Sequence, residues 1–180
     1  MEKGSGREFL GEKVGRMLCF ENNLCVFVAK IMEIETHSKD NYIISTDKSK
    51  LDLSVIHDFL STSYWAEDIP VEIVKKAIEN SICFGVYNEN KQIGFARVIS
   101  DYTTFAYLAD VFIIEEERGK GLSKWLMECI LKHKELQGLR NFCLLTRDAH
   151  SLYAQYGFEN LAKPQNFMAI KKDNFYKKKQ

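Results

Sequence analysis

The sequence lacks an excess of charge of either sign, because 25 lysines and arginines balance 25 aspartates and glutamates over 180 residues. A chain without net charge has no general attraction to nucleic acid or to an anionic membrane. It also lacks a long apolar run near its start, where the longest, Leu24 to Ala29, ends at Lys30 and is too short to span a bilayer. No apolar core of signal-peptide length is present there, so we expect a cytoplasmic protein without nucleic-acid or membrane partners.

The sequence also lacks the cysteine and histidine patterns of disulfide and metal proteins. Its five cysteines are an odd number and form no C-x-x-C pair. Cys83, Cys129 and Cys143 lie in apolar runs, where reduced thiols act as small buried hydrophobes, which again favours the cytosol. The four histidines have no metal-ligand spacing, so we predict no metal. With 46% hydrophobic and 28% charged residues, the chain has the composition of a soluble globular domain.

Composition divides the chain into three parts. Residues 1–41 are expected to form an N-terminal extension, disordered in part and without assignable chemistry. Its apolar segment from Leu24 to Ile34 fits either a strand or a short helix, and a polar linker is predicted over Glu35 to Asn41. Residues 42–172 are expected to form one domain, followed by a basic solvated tail at 173–180.

Apolar periodicity and turn residues predict a mixed order of strands and helices in that domain. The predicted elements are a strand at 42–46, helices at 51–60 and after Pro70, strands at 82–87, at 92–99 and ending near 114, a helix to about 134, a strand at 139–145, a short helix to 156 and a last strand at 167–170. Asp47 or Ser49 is expected to cap the first helix and Asp148 the last. This order indicates an α/β (α+β) fold, with helices packed on the faces of a mixed sheet.

One glycine turn is the centre of the predicted site. Arg118-Gly119-Lys120-Gly121 stands where the strand Leu108 to Ile114 gives way to an amphipathic helix. The first N–H groups of a helix lack intrahelical partners and lie at the positive end of its dipole. Glycines allow unusual backbone angles and the close approach of a ligand. The turn is therefore suited to a phosphate or pyrophosphate.

Two motifs in this region resemble those of the GNAT superfamily of acyl-coenzyme A-dependent N-acetyltransferases. The family motif R/Q-x-x-G-x-G/A is similar to Arg118 to Ser123, with Ser123 in place of the last glycine or alanine. A second motif, A-x-x-[F/L]-Y-x-x-x-G-F, is matched fully by Ala149 to Phe158. The resemblance covers about Tyr42 to Lys172. It implies a GNAT fold, with a mixed sheet of about six to seven strands, a cleft splayed between the fourth and fifth strands, and helices on both faces.

The resemblance also implies a coenzyme site built from main-chain groups. The turn residues that would bind the coenzyme A pyrophosphate through N–H groups are Arg118, Gly119, Lys120, Gly121, Leu122 and Ser123. The strand residues that would pair with the pantetheine arm are Val111, Phe112 and Ile113. The glutamates from Glu115 to Glu117 are unfavourable beside a pyrophosphate unless their side chains point to solvent. No metal is implied, and the co-substrate is acetyl-CoA.

The resemblance assigns catalytic and acceptor roles to further residues. Tyr153 would be the general acid that protonates the departing thiolate. Asp110 is the general base that we single out, because a charge in an apolar strand needs a reason. The other base candidates are Glu67, Asp68, Asp101, Asp148 and His150. The residues in segments that border the acceptor pocket are Tyr64, Trp65, Arg97, Tyr102 and Tyr107.

We therefore expect an enzyme that transfers acetyl from acetyl-CoA directly to a primary amine of a small molecule or peptide. The fold often dimerises, so a homodimer fits as well. A second interpretation is a GNAT-fold module that senses acyl-CoA or an amine without catalysis. A third, a nucleotide-binding domain, lacks support because neither a lysine-serine/threonine phosphate loop nor a spaced acidic ribose partner is found.

Overall fold

The computed structural model describes residues 17–19, 25–27, 33–172 and 175–176. The chain divides into two compact units, Met1–Glu33 and Ile34–Gln180. In the first unit, strand β1 (Met17–Cys19) pairs antiparallel with β2 (Cys25–Phe27). The apolar segment that the sequence leaves open between strand and helix thus contains a strand.

The second unit contains a six-stranded mixed sheet with helices on both faces. Its strands are β3 (Thr36–Lys39), β4 (Tyr42–Ser45), β5 (Ile82–Asn88), β6 (Lys91–Ser100), β7 (Phe105–Ile113) and β8 (Asn141–Leu144). Its α-helices are α1 (Leu53–Thr62), α2 (Val71–Glu79), α3 (Leu122–Lys132) and α4 (His150–Ala154). The strands lie in chain order across the sheet, and every pair is antiparallel except β7–β8. The predicted α/β sheet is confirmed.

The central strand β5 is buried on both faces. Cys83 packs in an apolar cluster with Ile56 and Leu60 of α1 and Val74 of α2. Its neighbour Phe84 points to the opposite face, because successive strand side chains alternate. There it meets His133 edge-on, just beyond the end of α3, at 5.5 Å between ring centroids. Helices thus pack on both faces of the sheet.

Strand β3 was not expected, because the sequence predicts a polar linker over residues 35–41. Its side chains are polar and mostly exposed, so no apolar alternation marks it. It forms a hairpin with β4 through a tight turn in which Asp40 has φ +52°. Aspartate tolerates this left-handed conformation better than most residues. The polar composition is that of an edge strand rather than a linker.

Other local predictions were also wrong. Asp52 caps α1, accepting hydrogen bonds from the N–H groups of Ser54 and Val55, whereas Asp47 caps a separate 3₁₀ turn at Lys48–Lys50. Asp148 does not cap α4, whose N-cap is Ala149 without a side-chain hydrogen bond. Within the described residues, positions 167–170 form no strand. Met168 and Ile170 are almost fully exposed, so their apolar character does not come from packing in the sheet.

No helix in the part of the chain that the structure describes is long and apolar enough to cross a bilayer.

Candidate active site

A cleft opens where β7 continues beyond the end of β8. The two strands pair in parallel from Phe105–Asn141 to Leu108–Leu144, and the pairing stops there. On its other edge β7 stays paired with β6 as far as Ile113. The last residues of β7 therefore border a cleft of about 1050 Å³. The resemblance implies a cleft between two neighbouring strands that splay apart, and the separation of β7 from β8 agrees with that prediction.

The glycine turn presents a row of unpartnered backbone donors. Gly119 and Gly121 both have φ +78°, and a methyl group added to either would meet no atom within 4 Å. Glycine is therefore required by the backbone angle, and the space outside the turn is open. Among the described residues, no hydrogen-bond acceptor is found for any backbone N–H from Gly119 to Lys124, and α3 has no side-chain cap. The row begins after Arg118, whose N–H donates to the Glu115 carbonyl at 3.1 Å.

Of the three glutamates before the turn, Glu117 has its carboxylate bonded to neighbouring side chains. The Glu117 carboxylate accepts hydrogen bonds from Lys120 Nζ at 2.7 Å, Tyr42 Oη at 3.1 Å and Asn88 Nδ2 at 3.2 Å. These bonds, with that of Lys120 the strongest, lower the pKa of Glu117. Glu115 and Glu116 are exposed. Glu117 thus fastens the turn to β4 and β5 of the sheet.

Asp110 lies at a β-bulge in the wall of the cleft. Phe95 pairs with Phe112 and Arg97 with Ala109, so β7 carries one residue more than β6 between these pairs. Asp110 takes up the extra length with φ +54°. A bulge re-aims side chains, and here it turns the carboxylate of Asp110 toward the residues of the cleft.

Both oxygens of the Asp110 carboxylate are engaged. One accepts a short hydrogen bond from Arg97 Nε, and the other accepts from Trp65 Nε1 at 3.2 Å. Arg97 Nη1 in turn lies 3.3 Å from Ser81 Oγ. The Asp110 and Arg97 side chains are only 11% and 18% exposed, so this ion pair is largely removed from water. The network fixes Trp65 at the cleft by contacts between side chains that are far apart in sequence.

Two half-exposed aromatic rings continue this wall. Tyr64 packs edge-on against Trp65 with ring centroids 4.9 Å apart. The Arg147 guanidinium lies 3.7 Å from the Tyr64 ring centroid, and the Arg147 N–H donates to Tyr64 Oη at 3.3 Å. Sequence reasoning missed Arg147. In the sequence, the only indication of a role for Arg147 is its position just before the Ala149 to Phe158 motif.

Tyr153 lies in the same cleft, on α4. Its ring is 8% exposed and packs edge-on against Phe158 at 6.0 Å. Burial, with smaller contributions from Tyr64 and Asp148, raises the pKa of Tyr153 to about 12. No residue in the described part of the chain forms a hydrogen bond with its hydroxyl. The phenol thus keeps its proton at neutral pH.

The cleft brings together most of the predicted residues, though not all of them. The predicted coenzyme, acceptor and acid–base residues that line it are Tyr64, Trp65, Glu67, Arg97, Tyr107, Asp110, Val111, Phe112, Ile113, Arg118, Ser123, Asp148 and Tyr153. Phe112 and Ile113 bury their side chains in the core, so only their main chain can face a ligand. Gly119 to Leu122 lie beside the cleft lining, in the turn.

Four predicted acceptor or acid–base residues lie outside the cleft lining. Tyr102 lies in the β6–β7 turn, with φ +61°. Asp101 caps that turn, and its bonds to the Thr104 hydroxyl and to nearby backbone N–H groups hold its pKa far below the usual range. Asp68 and His150 do not line the cleft either. Within the described residues, no three histidine, cysteine or acidic side chains are arranged to hold a metal ion.

Comparison with known proteins places this site in a family. Residues 79–160 match the family model described as an acetyltransferase (GNAT) domain. A presumed acetyltransferase of Gibberella zeae is 31% identical, in an alignment that covers 69% of this chain and 82% of the relative. The chain belongs to the GNAT acetyltransferase family.

Solved GNAT structures share the fold. A presumed GNAT acetyltransferase from Xanthomonas campestris pv. campestris is 50% identical, with a TM-score of 0.75 over 76% of this chain and 97% of its own. A presumed acetyltransferase from Clostridium acetobutylicum, crystallised with acetyl-CoA, is 14% identical, with a TM-score of 0.52 over 73% of this chain and 95% of its own. The second likeness concerns the fold alone.

Proposed function

We propose that this GNAT protein transfers an acetyl group from acetyl-CoA directly to a primary amine of a small molecule or peptide. The observation that carries the proposal is the row of unpartnered N–H groups from Gly119 to Lys124, beside a cleft that also holds Tyr153. An anion at this row would meet several oriented donors and the positive end of α3. The acetyl-CoA in the Clostridium acetobutylicum relative supports the choice of ligand.

The free edge of β7 suits the pantetheine arm. β8 stops at Leu144, so Val111, Phe112 and Ile113 have no neighbouring strand on that side among the described residues. An extended ligand can take the place of the missing strand and bond to the main chain. The main-chain groups of Phe112 face β6, and the Ile113 carbonyl already accepts a hydrogen bond from Arg118 Nε at 3.1 Å. The main chain of Val111 is therefore the partner that we propose for the ligand. Such pairing would orient the thioester and supply rate through positioning.

Tyr153 donates a hydrogen bond to the sulfur that leaves. The amine nitrogen attacks the thioester carbonyl, the C–N bond forms, and the C–S bond breaks to give a thiolate. Burial raises the pKa of Tyr153 to about 12, so the phenol keeps its proton until the sulfur carries charge. As the general acid, it donates to the developing thiolate and passes its proton to the sulfur, and water returns a proton to the phenolate.

Asp110 positions the acceptor wall rather than removing the proton of the amine. Its two oxygens already accept from Arg97 and Trp65, so neither is directed at an incoming amine. Glu67 and Asp148 are the other base candidates that line the cleft, and one of them removes the proton directly or through water. The earlier assignment of Asp110 as the base stays a prediction that mutation can decide.

One observation favours a second candidate function. Since Arg97 and Trp65 hold both oxygens of Asp110, the cleft has no evident base at that position, as expected of a module that senses acyl-CoA without catalysis. The release of thiol from acetyl-CoA across a panel of amino acids, polyamines, aromatic amines and lysine peptides separates the two functions. Release with at least one amine supports the enzyme. Coenzyme binding without release for any amine supports the sensor.

A further inference from the structure

Two of the cationic side chains at the glycine turn also contact the protein itself. Lys120 Nζ lies 2.7 Å from the Glu117 carboxylate, which offsets part of its charge. Arg118 Nε donates to the Ile113 carbonyl at 3.1 Å, which draws the guanidinium back to the end of β7. The turn therefore offers its backbone donors together with the cations of Arg118 and the exposed Lys124. Coenzyme A carries a pyrophosphate and a ribose phosphate, so further cations of the cleft have phosphate groups to contact.

The end of the chain brings two lysines to this same cleft. Lys171 and Lys172 line it together with Arg118 and Ser123, and both are exposed. The Lys172 ammonium lies 5.1 Å from the centroid of the Phe175 ring, which also lines the cleft. A cation over an aromatic face is held by the ring quadrupole. Both lysines belong to the compact unit that contains the sheet.

We propose that Lys171 and Lys172 form a cationic clamp on the phosphate groups of an acyl-coenzyme A. The proposal rests on the proposed function, because it concerns how the same cleft holds the same ligand. Ammonium–phosphate contacts are charge-assisted hydrogen bonds, stronger than bonds between neutral groups. They add to the positive charge of the turn, while the N–H row from Gly119 to Lys124 sets the position of a phosphate. Exposed charges are screened by salt, so the contribution of the clamp falls as ionic strength rises.

The test is calorimetric titration of coenzyme A into the full chain and two variants. One variant, Lys171→Gln/Lys172→Gln, removes the clamp. The other, Lys75→Gln/Lys76→Gln, makes the same charge change at exposed positions of α2 that do not line the cleft. We expect the clamp variant to bind coenzyme A about tenfold more weakly at low salt, with the gap narrowing at high salt. The α2 variant should stay within about twofold of the parent.

Dephospho-coenzyme A, which lacks the ribose phosphate, tells which phosphate the clamp holds. Equal affinity of parent and clamp variant for this probe assigns the clamp to the ribose phosphate. A persistent difference assigns it to the pyrophosphate. Either pattern supports the proposal.

Three results would overturn it. If the clamp variant binds coenzyme A as the parent does, the clamp is wrong and the proposed function stands. If the α2 variant loses as much affinity, the effect is one of net charge and not of the cleft. If the parent chain binds no coenzyme A, the proposed function fails and the clamp with it.

Discussion

The two halves of the cleft are built in different ways. The half that we propose for the coenzyme, the coenzyme half, is main chain, with N–H groups from Gly119 to Lys124 and the edge of β7 beyond β8. The half that we propose for the acceptor, the acceptor half, is side chain, with Arg97 and Trp65 both bonded to Asp110. Binding by main-chain groups depends on backbone angles and tolerates most side-chain substitutions. Binding by side chains depends on every residue of the network. Substitutions in one half should therefore leave the function of the other half unchanged.

The largest effect is expected where the acceptor network is broken. Asp110→Asn keeps a residue that tolerates φ +54°, but it leaves the Arg97 charge largely buried without its partner. We expect a loss of about 3 kcal/mol in the free energy of unfolding, measured by denaturant titration. Coenzyme A affinity should stay within about twofold, because the coenzyme half does not use this side chain.

The double variant Arg97→Met/Asp110→Asn is the control for that experiment. Removing both charges should restore part of the stability, since no buried charge then lacks a partner. A double variant as unstable as Asp110→Asn would show that the pair does not act through charge. If Asp110→Asn kept full stability and lost only turnover, the earlier assignment of a general base would be favoured over a positioning role.

The next effect is on turnover. Tyr153→Phe should lower kcat about 100-fold and leave coenzyme A affinity within about twofold, because the ring packing is kept. Since the Tyr153 proton is lost only as pH rises through about 12, the variant should change the height of the pH–rate profile between pH 6 and 10 and not its shape.

Tyr87→Phe is the matched control for Tyr153→Phe. Tyr87 is also buried, its hydroxyl has no partner, and burial raises its pKa to about 12, but it does not line this cleft. We expect its turnover to equal that of the parent. Equal turnover in Tyr153→Phe and the parent would remove the proposed role of Tyr153.

The smallest of these effects is expected in the glycine turn. Gly121→Ala forces alanine into φ +78°, at about 1 kcal/mol of stability, and places a methyl group in the approach to the N–H row. Coenzyme A affinity should fall about tenfold.

Gly138→Ala is the control for Gly121→Ala. It carries the same strain at φ +74°, with open space around it, and it lies away from the cleft. It should lose similar stability and no affinity. A similar loss of affinity in both variants would contradict a site at the turn.

The same contrast explains which features the sequence predicts. The turn from Arg118 to Gly121 and the helix at Tyr153 are short local motifs, and backbone geometry follows from local sequence. The strands β5 and β6 and the helix α2 were likewise predicted from apolar period and turn residues. The sequence identifies Asp110 as an unusual charge in an apolar strand. Its partners Arg97 and Trp65 are distant in the chain, so no local sequence pattern predicts that they contact Asp110.

Two failures have related physical causes. Thr36–Lys39 is a polar edge strand, stabilised by ladder hydrogen bonds to β4, so it lacks the apolar alternation that marks strands. Positions 167–170 have strand-like apolar residues, but a strand also needs a paired edge, which composition does not reveal. The sequence predicts no role in the site for Lys171 and Lys172. Only the path of the chain brings them to the cleft.

The most direct test of the account is the thermal unfolding of the full chain with and without acetyl-CoA. A ligand that binds only the folded state at about 100 times its Kd stabilises by about 2.7 kcal/mol. For a chain of this size we expect the midpoint to rise by about 5 °C or more at millimolar acetyl-CoA. An unchanged midpoint at that concentration would contradict the central claim that this cleft binds the acetyl donor.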